Sequence, residues 1–115
     1  MIDIFKALSE ESRLRILSIL LDGEMCVCEI ESSLNMTQSN ASRHLNILRL
    51  SGLLFKYKMA QWTYYQISDR FKEDHKELYD YLRVKLRDLP SYQEDLQNKK
   101  SCTDKDICSC SINPH

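Results

Sequence analysis

Apolar residues repeat at helical spacing through the first part of the chain. A short opening helix is predicted by the apolar residues Ile2, Ile4, Phe5 and Leu8. A second helix is predicted by the next apolar set, which consists of Leu14, Ile16, Leu17, Leu20 and Leu21. We expect this helix to begin at Ser9-Glu10-Glu11, where the hydroxyl caps free amides, and to end at Asp22-Gly23. Its leucines are expected in the core.

The next two predicted helices are joined by a short turn. The first of them begins near Cys26, and residues 35–37 then turn the chain. Thr37 is the expected N-cap of the second, whose opposite face is polar. The inward-facing positions of the two helices are predicted to be Ile30, Leu34, Ala41, Leu45 and Leu48.

A β-hairpin is predicted after Gly52, which ends the fourth helix. Residues 53–57 and 62–67 are rich in β-prone aromatic residues and flank a tip at residues 58–61. The tip lacks the glycine or Asn-Gly pair that tight hairpin turns prefer. A polar helix followed by a short basic hairpin is the layout of a recognition helix and its wing. The predicted fold class is mainly α with a small β-hairpin, a winged helix-turn-helix.

One long helix is predicted between Ser68, which caps it, and Pro90, which ends it. Its apolar stripe consists of Phe71, His75, Leu78, Leu82, Leu86 and Leu89. Such a stripe has little core left to cover within one chain, so we expect a homodimer through the terminal helices. The predicted dimer contacts are Phe71, Leu78, Leu82 and Leu89. Residues 1–90 then form the DNA-binding and dimerisation domain, and residues 91–115 form a flexible, cysteine-containing tail.

Charge is distributed unevenly along the 115 residues. The chain has 16 basic and 17 acidic residues and a net charge of -1, yet residues 35–68 contain four basic residues and no acid. A solvated helix face normally mixes both signs, so this segment favours binding to the phosphates of double-stranded DNA. No apolar run is long enough to span a membrane and the first residues do not resemble a signal peptide. The expected location is the cytoplasm, without membrane contact.

Amide, hydroxyl and guanidinium groups cover the predicted outer face of the recognition helix. Amides suit adenine edges, arginine suits guanine or phosphate, and hydroxyls suit backbone oxygens. The predicted DNA contacts on this helix are Gln38, Ser39, Asn40, Ser42, Arg43 and His44. For His44 two interpretations stay open, a phosphate contact or packing at the helix edge. In the wing, the candidates for phosphate or minor-groove contact are Lys56, Lys58 and Gln61.

Five cysteines in a reducing compartment indicate ligands or redox thiols more than structural disulfides. Cys26 and Cys28 lie at the expected start of the third helix, where thiol pKa falls, and thiolates select soft ions. Residues two apart in a regular helix point about 200° from each other. Both cysteines can then bind one small ion only if that first turn is frayed or unwinds, so we expect chelation to distort the start of the helix and to shift the recognition helix. The other cysteines, Cys102, Cys108 and Cys110, lie in the predicted tail.

Several short motifs occur together in a fixed order. They are Cys26-Val27-Cys28-Glu29-Ile30, Ser39-x-x-Ser42-Arg43-His44-Leu45-x-x-Leu48, Ser51-Gly52-Leu53 and Trp62-x-Tyr64-Tyr65. Through them, residues 2–89 resemble the ArsR/SmtB family of winged-helix metalloregulatory repressors, and its arsenic-sensing branch most closely. The resemblance implies a homodimer that binds operator DNA when metal-free and releases it when a toxic ion binds.

The resemblance implies arsenite or antimonite as the inducer, bound in trivalent form by cysteine thiolates. Some arsenic repressors have a third cysteine one turn beyond the pair, but the corresponding residue here is Glu31. A three-thiolate site must then use Cys102, Cys108 or Cys110. The 12 residues between Leu89 and Cys102 would extend roughly 40 Å. That length lets a tail cysteine reach the pair in either subunit, so it does not discriminate among Cys102, Cys108 and Cys110.

The same residues leave some other functions open and disfavour others. One alternative for this fold is a sensor of cadmium or lead, and another is a redox or persulfide sensor in which oxidation links two thiols without metal. A zinc site on the last helix is disfavoured because His75 lies on the apolar stripe and no second histidine follows it there. A thiol enzyme is disfavoured because the chain has no C-x-x-C motif, and the basic helix would be unexplained.

Overall fold

The computed structural model describes the backbone of residues 2–105 and the side chains of residues 2–101. Its elements, in chain order, are α1 (Ile2–Leu8), α2 (Glu11–Ile19), β1 (Met25–Cys26), α3 (Val27–Leu34), α4 (Gln38–Leu50), β2 (Leu54–Met59), β3 (Trp62–Ile67), α5 (Asp69–Asp74), α6 (Lys76–Lys85), a 3-10 turn (Leu86–Asp88) and α7 (Tyr92–Lys105). The predicted fold class is confirmed. None of the helices in this described part is long and apolar enough to cross a membrane.

The helix-turn-helix formed by α3 and α4 is confirmed. α3 ends at Asn35, which adopts a left-handed φ of 57° and donates its N–H to the Glu31 carbonyl. Thr37 then caps α4, because its hydroxyl oxygen accepts the N–H of Asn40 at 3.2 Å. The predicted inward positions are all buried, namely Ile30, Leu34, Ala41, Leu45 and Leu48.

The wing is an antiparallel hairpin to which a third strand is added. β2 and β3 pair from Leu54 opposite Ile67 to Met59 opposite Trp62. β2 runs two residues further toward the tip than predicted, whereas β3 has the predicted bounds. Ala60 takes a left-handed φ of 60° in the loop between them. β1 pairs with β3 on its other side, which gives the order β1-β3-β2. Two residues are too few for an alternating pattern, so the sequence did not reveal β1.

The predicted start of α2 is wrong in one detail. Glu10, not Ser9, is the N-cap, and its side chain makes no capping hydrogen bond. The Ser9 hydroxyl instead donates to the Lys6 carbonyl at 2.7 Å. The last carbonyls of α1 lack donors, just as the first amides of α2 lack acceptors. The Ser9 hydroxyl satisfies a carbonyl of α1 and does not cap α2.

The single long helix predicted after Ser68 is also wrong. His75 interrupts it with φ −129° and ψ 51°, and separates α5 from α6. Phe71 and Leu82 both reach the core, with exposures of 4% and 8%. Leu86 is buried with them. The premise that this stripe finds no core within one chain therefore fails for these three side chains.

The flexible tail predicted from residue 91 is wrong for residues 92–105, which form α7. Tyr92 is buried, and the Asp95 carboxylate receives two hydrogen bonds from the Arg15 guanidinium at 2.8 and 3.0 Å. Asn98 donates to the Ser33 carbonyl at 3.1 Å. This helix is fixed by polar contacts to α2 and α3, which a search for aliphatic residues does not detect. Cys108 and Cys110 lie outside the described residues.

Candidate DNA-reading surface and sulfur site

The predicted reading face of α4 is exposed along most of its length. The exposed side chains are Gln38, Ser39, Asn40, Ser42 and Arg43. Thr37 caps the helix and the core fixes its inner face, so these groups project from a rigid support. Near the end of the helix, Arg49 donates to the side-chain oxygen of Asn46 at 2.7 Å.

The three wing candidates are exposed as well. Lys56 and Lys58 lie on β2, where they alternate with Phe55 and Tyr57 on the other face of the strand. Gln61 lies in the tight loop beside Ala60. The wing thus presents ammonium and amide groups from one edge of the sheet, which suits a nucleic-acid backbone.

His44 does not belong to the exposed reading face. Only 3% of the residue is exposed, and its ring nitrogens lie beside α2, with Nδ1 3.2 Å from Arg13 Nη1 and Nε2 3.5 Å from a Glu10 oxygen. The predicted DNA contact by His44 is therefore wrong, and its packing at the helix edge is what the structure shows. Because a guanidinium only donates, Nδ1 is the acceptor in the contact with Arg13.

Arg13 is a functional support that the sequence interpretation missed. It is 7% exposed, donates to the carbonyls of Ala7 and Lys6 at 2.7 and 3.3 Å, and forms an ion pair with Glu10 at 3.3 Å. One buried guanidinium therefore connects the end of α1, the start of α2 and the recognition helix. Its signal was a charged residue on the apolar stripe of α2, four residues before Leu17.

The buried position also disfavours the charged form of His44. Burial first, and then the nearby Arg43, lowers the pKa of His44 below its ordinary value of 6.5, while the Glu10 carboxylate opposes the shift. The ring is consequently neutral at neutral pH, which is the state in which Nδ1 accepts from Arg13.

Cys26 and Cys28 come together at the junction of β1 and α3. Cys26 is the N-cap of α3, with extended φ and ψ of −81° and 162°, and its sulfur lies 3.7 Å from that of Cys28. Two thiolates bound at about 2.3 Å to one tetrahedral ion stand about 3.8 Å apart. Of the two conditions, the structure meets the first without unwinding, because Cys26 lies just outside the helix and its sulfur already lies close to that of Cys28.

The surroundings of the pair suit a thiolate ligand. Cys26 is 2% exposed, and its N–H donates to the Glu29 carboxylate at 2.9 Å, which closes the start of α3. The amides at a helix start favour negative charge on a nearby sulfur. Cys28 is disulfide-bonded in this structure, so binding an ion requires its reduction. Among the described side chains, no cluster of three histidine, cysteine or acidic ligands occurs.

Aromatic rings connect the sulfur pair to the wing. Tyr64 and Cys28 both pack against the buried Cys26. The ring of Tyr57 stacks on that of Tyr64 with a centroid distance of 5.5 Å and an angle of 14°. Phe55 stacks in turn on Tyr57 at 6.1 Å and 26°. In the register of β2 and β3, Tyr57 lies directly opposite Tyr64.

Comparison with known proteins gives relatives of one kind. A family profile described as "Bacterial regulatory protein, arsR family" matches residues 4–56. The Arsenical resistance operon repressor of Escherichia coli is 44% identical over 68 residues, which are 58% of this chain and 58% of that protein. A homolog of the cadmium resistance regulatory protein CadC from Staphylococcus aureus is 36% identical over 67 residues, 57% of this chain and 55% of that protein. The chain thus spans little more than half the length of these relatives.

The similarity extends to solved structures. A homodimeric winged helix-turn-helix DNA-binding domain from Mycobacterium bovis, described as a possible ArsR-family transcriptional regulator, superimposes with a TM-score of 0.63. It is 31% identical, and the match covers 72% of this chain and 74% of that one. These relatives are regulators of transcription, not enzymes.

Proposed function

Because the chain belongs to the ArsR family of winged helix-turn-helix transcriptional regulators, we propose that it is an arsenic-responsive repressor. It binds operator DNA as a homodimer in the cytoplasm and releases the DNA when trivalent arsenic or antimony binds Cys26 and Cys28. The observation that carries this proposal is the 3.7 Å separation of the two sulfurs, at a position inside the DNA-reading unit.

Operator binding uses the exposed face of α4 and the wing. Arg43 binds guanine or phosphate, and Lys56 and Lys58 neutralise backbone phosphates beside it. The amide and hydroxyl groups of the reading face complete the contact, through Gln38, Ser39, Asn40, Ser42 and Gln61. His44 supports this surface from behind and touches no DNA.

The homodimer is supported by apolar groups that the single chain leaves exposed. Ile2 and Phe5 on α1 are 68% and 53% exposed, and Tyr81 and Val84 on α6 are 59% and 60% exposed. Leu78 and Leu89, which the sequence assigned to the dimer, are half-buried beside the core. A second copy that covers α1 and α6 removes this apolar surface from water.

The inducer is identified by the chemistry of its ligands. Sulfur ligands favour soft, thiophilic ions over oxygen-seeking ones. Arsenite and antimonite are proposed first because relatives named as arsenic regulators are 43% and 44% identical over 67 and 68 residues. Cadmium or lead is the alternative, because a relative named for cadmium resistance also matches. The proposed ligand set is Cys26 and Cys28 with a third thiolate from Cys102, Cys108 or Cys110.

The course of α7 favours Cys102 as the third ligand. Arg15 bonds both Asp95 and the carbonyl of Leu34 near the end of α3, whereas Asn98 bonds Ser33. α7 therefore runs antiparallel to α3. Four residues beyond Asn98, or about 6 Å along the axis, the α7 backbone approaches the start of α3, where the sulfur pair lies. An extended tail of roughly 40 Å is not needed.

A test starts from an operator that the wild-type protein selects from random duplex DNA. Fluorescence anisotropy under reducing conditions then measures operator affinity with arsenite, antimonite, cadmium and lead. We expect arsenite and antimonite to weaken binding at least about tenfold. Cys26→Ser and Cys28→Ser should bind the operator normally and keep it in arsenite.

The third ligand is tested with matched cysteine-to-serine variants. Cys102→Ser should need more arsenite for release, whereas Cys110→Ser should respond like the wild type. Equal loss in both variants would reject the assignment to Cys102, and an unresponsive wild type would reject the arsenic proposal as a whole.

A thiol redox sensor is the second candidate, favoured by the disulfide at Cys28. In that case a thiol oxidant such as diamide releases the operator without any metal, as two thiols lose two hydrogen atoms to form one disulfide. Mass spectrometry detects that loss. A response to arsenite that persists in excess reductant supports the arsenic proposal over this one.

A further inference from the structure

The sulfur pair is part of the same sheet as the wing. Cys26 is the last residue of β1, and its register partner on β3 is Tyr64. The side chain of Tyr64 packs against that of Cys26. A displacement of Cys26 is therefore transmitted to β3 through the backbone pairing and through the contact with the Tyr64 ring.

The route continues across the hairpin. Tyr57 pairs with Tyr64 in the β2–β3 register and stacks on it at 5.5 Å. Phe55, the next residue on the same face of β2, stacks on Tyr57 at 6.1 Å. The alternate face of β2 carries Lys56 and Lys58. A displacement of the stacked rings thus moves the strand that presents the wing ammonium groups.

The recognition helix offers less freedom to move. Ala41, Leu45 and Leu48 are 0% exposed, and Ile30 fixes α3 in the same core. The sulfurs already stand at a chelating distance, so ion binding does not require α3 to unwind. Tyr64 is only partly buried and packs directly against Cys26, so its ring lies beside the place where an ion and a third thiolate are added.

We propose that Tyr64, Tyr57 and Phe55 couple the sulfur site to the operator through the wing. Binding of arsenite displaces the Tyr64 ring, the stack shifts, and the lysines of β2 lose their phosphate register. Tyr64 and Tyr57 are positioning residues in this scheme, since neither binds DNA. The inference rests on the proposed arsenic response and names the element through which that response acts.

The coupling is tested with Tyr57→Leu. This change removes the ring but retains an apolar side chain, and it does not alter the residues that contact the sulfurs. Operator affinity without arsenite and arsenite affinity by calorimetry should both stay within about threefold of the wild type. The ratio of operator affinities without and with arsenite should fall from at least about tenfold to under about threefold. Tyr57→Phe, which keeps the stacked ring, should behave like the wild type.

A second readout needs no operator. Trp62 is the only tryptophan of the chain, and it lies near the wing tip opposite Met59. Arsenite added to the full-length protein should change Trp62 emission in the wild type and in Tyr57→Phe, but not in Tyr57→Leu. Thr63→Val, on the opposite face of β3 from Tyr64, should retain the emission change.

The outcomes separate the two proposals. A normal release ratio and a normal emission change in Tyr57→Leu would overturn the wing route and leave the arsenic-responsive repressor intact. A wild type that binds arsenite and changes Trp62 emission without releasing DNA would overturn the repressor proposal and with it the coupling of the rings to the operator. A wild type that binds no arsenite would overturn both.

Discussion

The recognition helix and the wing are the two parts of the proposed DNA-reading surface, yet they are fixed in different ways. α4 is held by fully buried aliphatic residues and by the contact between His44 and the buried Arg13, 3.2 Å apart. The wing is held by strand pairing and by a stack of rings whose outer member, Phe55, is 53% exposed. Buried polar contacts cost more to break than exposed ring contacts. The helix is thus the fixed part of the reading surface, and the wing the adjustable part.

Under the proposed response, this difference suits a sulfur site placed beside the wing. A ligand that moved α4 would have to break contacts of the whole hydrophobic core, whereas a ligand beside β3 would disturb only a small sheet. Placing Cys26 in the strand next to β3 connects the site to the element of lower stability.

The largest effect is expected from Arg13→Met, which breaks the support of α4. The change leaves His44 Nδ1, Glu10 and two carbonyls without their shared donor, and we expect a loss of about 3–5 kcal/mol in unfolding free energy. Urea unfolding measures it. Arg70→Met is the control, because the pair of Arg70 with Asp74 is exposed and should change stability by less than about 0.5 kcal/mol. Similar losses in both variants would show that α4 is not specially supported.

The second effect concerns α7, which is fixed by a buried pair but presents no predicted DNA contact. In Arg15→Met the Asp95 carboxylate, with 1% of its side chain exposed, loses its partner, and we expect a loss of about 2 kcal/mol. Asp95→Asn should cost less, since a neutral amide still accepts from Arg15. Neither variant should change operator affinity at a temperature where it is folded. A lower affinity would mean that α7 also supports the reading surface.

A smaller effect is expected from protonation of His44. Its pKa is lowered in the folded protein from the ordinary 6.5, so the unfolded chain takes up this proton at higher pH than the folded one does. The contribution of the neutral His44 ring to the free energy of unfolding is fully present above about pH 6.5. It is lost as the pH falls below that value, by at most about 1.4 kcal/mol per pH unit. Thermal unfolding between about pH 5 and pH 7 measures this loss. His44→Asn should flatten the curve, and parallel curves would contradict the prediction.

The smallest effect is expected at the wing tip. Ala60 has a φ of 60°, which costs an L-residue roughly 1–2 kcal/mol and a glycine almost nothing. Ala60→Gly should therefore raise the unfolding temperature slightly, for a net gain of roughly 0.5 kcal/mol after the entropy of glycine in the unfolded chain is subtracted. Gln61→Gly lies in the same loop at an ordinary φ and should lower stability. If both changes act alike, strain at Ala60 is not the cause.

The parts of the fold that sequence predicted are those with a local physical signal. Thr37 and Ser68 cap helices as expected, because a hydroxyl oxygen accepts a nearby amide whatever the rest of the chain does. The apolar stripe of α4 likewise identified its buried face. The tip of the hairpin was located without a glycine, from the aromatic runs on either side of it.

The parts that sequence missed depend on distant contacts. The break at His75 has no proline or glycine to announce it, and α7 is fixed by pairs such as Arg15 with Asp95, which are far apart in sequence. The same holds for the candidate site. Spacing alone placed Cys26 and Cys28 on opposite sides of a helix, whereas the cap conformation of Cys26 brings their sulfurs together.

The position of Cys26 at a helix cap also has a genetic consequence. Serine is among the best N-cap residues and is close to cysteine in size, so Cys26→Ser keeps the start of α3 while it removes the sulfur. Cysteine and serine codons differ by one base. Under the proposed arsenic response, a single point mutation would therefore give a folded protein that stays on its operator, and a cell that carries it would keep the repressed genes silent in the presence of the inducer.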